Sequence, residues 1–171
     1  MSGLFGDFDI NNAATSGGQG LPLGPGEYVA EITNSKGSKL RKGVAFEMFF
    51  RVVEAAPGST HAPGHIFNEF CPLHEEWGPG KAKTVLTVAY GLDPNSSADA
   101  ADVKAENWTK VMEMAATKPE IFNGRKVRVS VVTSTAKVSK KLYERRTFNV
   151  HEDTRKLFQE LKAKKAAAEK K

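Results

Sequence analysis

Between Val44 and Val53 the sequence alternates strictly: Val44, Phe46, Met48, Phe50 and Val52 fall on one side, and Ala45, Glu47, Phe49, Arg51 and Val53 on the other. A period of two belongs to a strand, so this stretch fixes a β-strand with one uniformly apolar face for a core. The opposite face mixes charge, an aromatic ring and a small residue, which suits a surface that meets water or a ligand. Upstream, Glu27-Tyr28-Val29-Ala30-Glu31-Ile32-Thr33 is rich in β-branched and aromatic residues and follows the chain-breaking Leu23-Gly24-Pro25-Gly26. Between the two strands lies Asn34-Ser35-Lys36-Gly37-Ser38-Lys39-Leu40-Arg41-Lys42-Gly43, with four cations and no acid. The expected central device is a hairpin joined by a polar, basic loop.

A chain of 171 residues, 40% of them hydrophobic, supports one globular domain with appendages and a substantial core. The net charge of +5 leans toward polyanionic partners, and it is unevenly spread: residues 1–34 hold Asp7, Asp9, Glu27 and Glu31 but no Lys or Arg. The single cysteine, Cys71, excludes an intrachain disulfide and is compatible with a reducing compartment. No apolar run is long enough for a bilayer, and the N-terminus lacks the cationic start and apolar core of a signal peptide. A soluble cytoplasmic protein with no membrane partner is expected. Catalysis has little support, because the chain has no P-loop pattern, no nucleophile elbow and no recognisable pair of carboxylates; no cofactor is implied.

Residues 1–25 are glycine-rich, with Asn11, Asn12 and Ser16 interspersed, and read as a flexible N-terminal arm. Within it Leu4-Phe5-Gly6-Asp7-Phe8-Asp9-Ile10 is an apolar and acidic island, suited to packing on its own domain or to docking on a partner. Residues 26–151 are the expected domain, and 152–171 a basic C-terminal helix and tail. After the hairpin the pattern predicts a strand over Gly64–Phe70, a loop over Cys71–Gly80 and a helix from Lys81 to Tyr90. A second helix from Asn107 to Lys118 stops before Pro119 and carries Trp108, Val111, Met112 and Ala115 at core spacing. Arg125–Thr133 alternates again, with Val127, Val129 and Val131 opposite Lys126, Arg128, Ser130 and Val132. In the last strand, Lys141–Val150, Glu144 and Arg146 share the inward parity of Phe148, which requires a bulge or an edge position. Leu157, Phe158 and Leu161 then form a short apolar stripe, for packing on the chain's own sheet or on a second subunit in a homo-oligomer.

This order is mainly β with helices. It fits a five-stranded OB-fold-like Greek-key barrel with a helical insertion between strands 3 and 4 and a C-terminal helix. The segments Gly26-Glu27-Tyr28-Val29-Ala30-Glu31-Ile32-Thr33-Asn34-Ser35-Lys36, Phe46-Glu47-Met48-Phe49-Phe50-Arg51-Val52 and Asn123-Gly124-Arg125-Lys126-Val127-Arg128-Val129, with the basic strand from Tyr143 to Phe148, resemble bacteriophage single-stranded DNA-binding proteins. The resemblance covers about residues 24 to 150. It implies a protein of the host bacterial cytoplasm that coats single-stranded DNA, without strong sequence preference, in replication, recombination or repair, and that meets replication or recombination proteins there. One feature departs from that class: several members end in an acidic recruiting tail, whereas this chain ends in Lys162, Lys164, Lys165, Lys170 and Lys171.

Capture of a single strand needs cations that track phosphates and flat side chains on which bases stack. The stacking candidates are Phe49, Tyr143 and Phe67, with Trp77 as either a further base contact or a cap on the barrel. The phosphate candidates are Lys36, Lys39, Arg41 and Lys42 in the first hairpin loop and Lys137, Lys140 and Lys141 in the last. Arg51, Lys126, Arg128 and Arg145 lie on outward strand positions. Against these, an aromatic residue on a strand is more often packing, and a lysine-rich loop is usually just solvated. Locally, His61, His65, Cys71 and His74 offer His/Cys spacing for a zinc site. The alternative for the whole chain is a β-rich virion structural or adaptor protein without nucleic-acid binding, which would not need outward aromatics aligned with basic loops.

Overall fold

Val44, Phe46, Met48, Phe50 and Val52 turn inward as the alternation requires, and the last four are at most 1% exposed. The computed structural model describes Phe5, Ile10, residues 23–135, 137–138 and 142–170. Its elements are β1 (Gly26–Leu40), β2 (Gly43–Ala55), β3 (Ile66–Pro72), α1 (Gly78–Tyr90), α2 (Ala100–Ala105), α3 (Trp108–Thr117), a 3-10 turn (Pro119–Ile121), β4 (Lys126–Thr135), β5 (Leu142–Val150) and α4 (Glu152–Glu169). The strands form one open antiparallel sheet in the order β3-β2-β1-β4-β5. Helices α1 to α3 are inserted between β3 and β4, where the sequence predicts two, and α4 follows β5 as predicted.

The first hairpin differs from expectation. What reads as a ten-residue basic loop is mostly strand: β1 pairs with β2 as far as Leu40↔Gly43, leaving Arg41-Lys42 as the turn and placing Lys36 and Lys39 on β1. Cross-strand pairing satisfies the backbone of this polar stretch although its side chains carry no apolar pattern. Two register shifts, between Val29 and Ala30 and between Ile32 and Asn34, change the parity of β1. They turn Ser35 inward, where its hydroxyl donates to Ala115 O on α3 at 2.6 Å.

Helix α1 shows burial overriding propensity. Its valines and threonines are weak helix formers, yet almost every residue from Gly80 to Ala89 is buried, as expected of a helix enclosed on all sides. Gly78 opens it because nothing larger fits: a Cβ there would lie 1.8 Å from Pro72 O. Gly91 ends it in the left-handed region at φ 103°, its N–H capping carbonyls of the last turn. In α3 the Asn107 side chain accepts from Lys110 N at 3.1 Å as N-cap, and Trp108, Val111, Met112 and Ala115 face the core. Trp108 donates its indole N–H to Val103 O at 2.8 Å. Sequence periodicity misses α2, whose six residues bury none of their side chains. The N-terminal arm lies outside the described residues except for Phe5, Ile10 and residues 23–25. Phe5 and Ile10 are 1% and 0% exposed within the core, Phe5 meeting Phe46 edge to face.

Glu144 and Arg146 are the main departure from the amphipathic pattern. The β4–β5 register runs unbroken from Val127↔Val150 to Thr135↔Leu142, so no bulge relieves their inward parity, although β5 is an edge strand. The charges point inward because they are matched. Arg146, 2% exposed, reaches across to the other edge strand, donating to Asn68 O at 2.9 Å and to Glu69 Oε1 at 2.5 Å. It also holds Glu144 at 3.2 Å, and Glu144 accepts the backbone N–H groups of Leu23 and Gly24. From α1, the fully buried Lys81 lies 3.6 Å from Glu69 Oε2. The seam between β3 and β5 is thus crossed by a buried ionic chain.

That chain has a pH consequence. Burial pushes the Glu69 carboxyl up to about 7, against the pull of Arg146 and Lys81. The folded protein therefore keeps a proton that the unfolded chain releases above about 4.5. Stabilisation by Glu69 is complete below that ordinary value and is lost as pH rises through about 7, a loss on the order of 3 kcal/mol. Glu144 works the other way: burial opposes its ionisation, but the Leu23 and Gly24 N–H groups and Arg146 hold its carboxyl below the usual range. Its contribution is lost on acidification. Urea unfolding from about pH 4.5 to about pH 8 should show the stability of the wild type relative to Glu69→Gln shrinking as pH rises. A constant difference would place Glu69 in the ordinary carboxylate range.

Candidate functional site

The outward faces of β1, β2 and β3 line up in three cross-strand rows: Glu31–Arg51–Ile66, Asn34–Phe49–Asn68 and Lys36–Glu47–Phe70. Phe49 and Phe70 are half-buried and Ile66 is 59% exposed, so apolar surface remains open on this face. Adjacent rows are two residues apart along a strand, about 7 Å, which puts Phe49 and Phe70 at diagonal positions within reach of one ligand. Lys36 lies over the Phe49 ring at 5.4 Å and 3.9 Å from Glu47, while Glu47 also accepts from Asn68 at 3.0 Å. Arg51 pairs with Glu31. These are surface pairs, each worth about 0–1 kcal/mol.

Phe67 does not belong to this face. It is 0% exposed and stacks on Phe50 at 5.0 Å in the core, with Arg146 5.3 Å from its centroid. The outward aromatic of β3 is Phe70. The sequence misleads here because Phe67, Glu69 and Cys71 share a parity, and a glutamate on that parity reads as solvent-facing. Only knowledge of its distant partners, Lys81 and Arg146, reverses the assignment.

The cations divide into two groups. Lys39, Arg41 and Lys42 are exposed at the end of the first hairpin, and among the described residues no acid pairs with them. Arg145 and Tyr143 are likewise exposed on β5, Tyr143 at 53%, beside Val132 at 56%. Lys137 is exposed in the β4–β5 connection; Lys140 and Lys141 lie outside the described residues. Because β1 and β4 pair antiparallel, the two hairpin ends sit at opposite ends of that ladder and bracket the sheet. By contrast, Lys126 and Arg128 are engaged by the first turn of α4: Lys126 meets Asp153 at 3.7 Å, and Arg128 pairs with Glu152, whose carboxyl its hydrogen bonds bring down to about 2. These two cations anchor α4 to β4. Trp77 precedes α1, 38% exposed, with the Lys81 ammonium 4.5 Å from its ring. It covers a buried cation while keeping an accessible face.

The His/Cys quartet does not assemble. His61 and His65 stack at 3.6 Å, while Cys71 is buried in the core with its thiol pushed up by burial, the reverse of what a thiolate ligand requires. His74 approaches Glu75 at 3.5 Å, and no group of three or more potential metal ligands occurs among the described residues. Nor is any helix among them long and apolar enough to cross a membrane. Comparison with protein-family models and with curated proteins finds no match.

Proposed function

We propose that the protein binds single-stranded DNA, without strong sequence preference, in phage replication, recombination or repair, on the outer face of β1–β3 between the two basic hairpin ends. The observation that carries this reading is the combination of outward Phe49 and Phe70 with a hairpin end whose Lys39, Arg41 and Lys42 have no acid partner among the described residues. Stacking tolerates any base, and cations on a protruding turn track a backbone whatever its sequence. The strand order is compatible with an OB-fold-like barrel in which β3 and β5 meet through the Arg146 bridge, and in that fold the second and third strands form the ligand surface. Sequence resemblance to phage single-stranded DNA-binding proteins supports the same reading.

Fluorescence anisotropy of labelled oligo-dT against a duplex of equal length tests it. Tighter binding to the single strand with a steep salt dependence is expected, and Phe49→Ala should weaken it by about 1–3 kcal/mol with an unchanged melting temperature. Equal affinity for the duplex would leave a generic basic surface. Absence of binding would favour the virion or adaptor alternative.

A further inference from the structure

On the helical side of the molecule, α4 packs only through its first turns. Thr154 is buried and Arg155, Leu157 and Phe158 are half-buried, whereas every residue from Gln159 to Lys170 is exposed. Between this outer half and the inserted helices lies a cleft of about 510 Å³, with apolar walls from Tyr90, Met114, Ile121, Phe158, Leu161 and Ala166. Phe158, Leu161, Lys165 and Glu169 line it along three turns of α4, about 16 Å of helix, which makes it a groove rather than a compact pocket. No residue of β2, β3 or β5 contributes to it.

The charges in the groove are not equivalent. Asp102 is bound by Lys162 at 2.9 Å, and Glu106 is hydrogen-bonded to Tyr90. Arg125 is half-buried, donates to Ala89 O at 3.1 Å and lies over Phe122 at 4.8 Å, and among the described residues it has no carboxylate in pairing distance. A half-buried guanidinium in an apolar wall, with no carboxylate in pairing distance among the described residues, is complementary to an arriving carboxylate. At the outer rim Lys165 is exposed, and Lys164 and Lys170 extend the basic character of α4.

We infer that this groove docks an acidic, apolar peptide segment of a partner protein, its bulky side chains against Met114, Ile121, Phe158 and Leu161 and a carboxylate on Arg125. The length of the groove along α4 favours a peptide over a compact small molecule, and a helix or extended segment lying in it repeats a common recognition mode. The groove shares no residue with the outer sheet face, so the partner and a nucleic acid can be held together.

The test uses the full chain and a fluorescein-labelled synthetic peptide of about twelve residues, a helix long enough to fill the groove, with Phe and Leu at helical spacing among Asp residues. Saturable binding is expected, weakened at least about tenfold by Leu161→Glu and by Arg125→Met, and unaffected by saturating oligo-dT. Should Arg125→Met lower the melting temperature, because its guanidinium also holds Ala89 O, Leu161→Glu and Lys165→Glu carry the test from exposed positions. The inference fails if a peptide with Lys in place of Asp binds equally well, or if Leu161→Glu leaves binding unchanged. Displacement by oligo-dT overturns it too, by moving the peptide to the sheet face. So does failure of the peptide to bind while Leu161→Glu converts a dimer into monomers, which would make the groove a contact between copies of this chain.

Discussion

Replacing Arg146 with Met is expected to destabilise the fold by about 3–5 kcal/mol, read as a fall in the urea midpoint at about pH 8 with an unchanged slope. The side chain is 2% exposed and, among the described residues, holds Asn68 O and Glu69 on β3 and Glu144 on its own strand. Methionine fills a similar volume but supplies no donor. Glu69, 0% exposed, is left with Lys81 alone at 3.6 Å, and a backbone carbonyl on an edge strand loses its bond. The carboxyl can escape by taking up a proton, so the cost should shrink as pH falls toward about 7 and level off below it, where the carboxyl is already protonated in the wild-type fold. A double-mutant cycle with Glu69→Gln should return a coupling of roughly 0.5–3 kcal/mol, since the two side chains are in direct contact. A small loss, independent of pH, would mean that the seam between β3 and β5 is held by packing alone.

The same side chains explain which parts of the architecture were legible. Elements whose burial is carried by an alternating apolar face were readable: β2 from Val44 to Val52 and β4 from Val127 to Val131 behave as a period of two demands. Trp108, Val111, Met112 and Ala115 likewise form the predicted core stripe of α3. What could not be read depends on partners remote in sequence. Glu69 is inward only because Lys81 and Arg146 are there to meet it, and Arg146 lies 77 residues away. Phe67, on the same parity as Glu69, therefore faces the core, and Phe70 takes the outward position. The first hairpin failed for a different reason: Lys36 and Lys39 sit in strand because pairing with Glu47 and Val44 satisfies their backbone, and composition alone says loop. Among the candidate cations, chemistry was readable but availability was not. Lys126 and Arg128 look equivalent to Lys39 and Arg41 until α4 places Asp153 and Glu152 against them.

That distinction sets the second large effect. Replacing Lys39, Arg41 and Lys42 together with Ala should lower oligo-dT affinity by roughly a hundredfold at about 0.1 M salt and leave the melting temperature unchanged. Each phosphate neutralised on a single strand contributes about 0.7 to the slope of log K against log salt, so three lost contacts should flatten that slope by about 2. Extrapolated over the tenfold dilution from about 1 M to about 0.1 M salt, the same figure gives the hundredfold loss. The three side chains are exposed and, among the described residues, bound to no acid, so nothing in the fold depends on them. Lys126→Ala with Arg128→Ala is the informative contrast: it should loosen α4 from β4 and change the salt slope little, because those charges are already balanced by Asp153 and Glu152. If both variants flatten the slope equally, phosphates are gathered by net charge and the hairpin end has no special place in binding. If only the hairpin variant does, the path of the strand runs over the end of β1 and β2 and onto Phe49, where the stacking loss expected for Phe49→Ala should persist at high salt after the electrostatic part has gone.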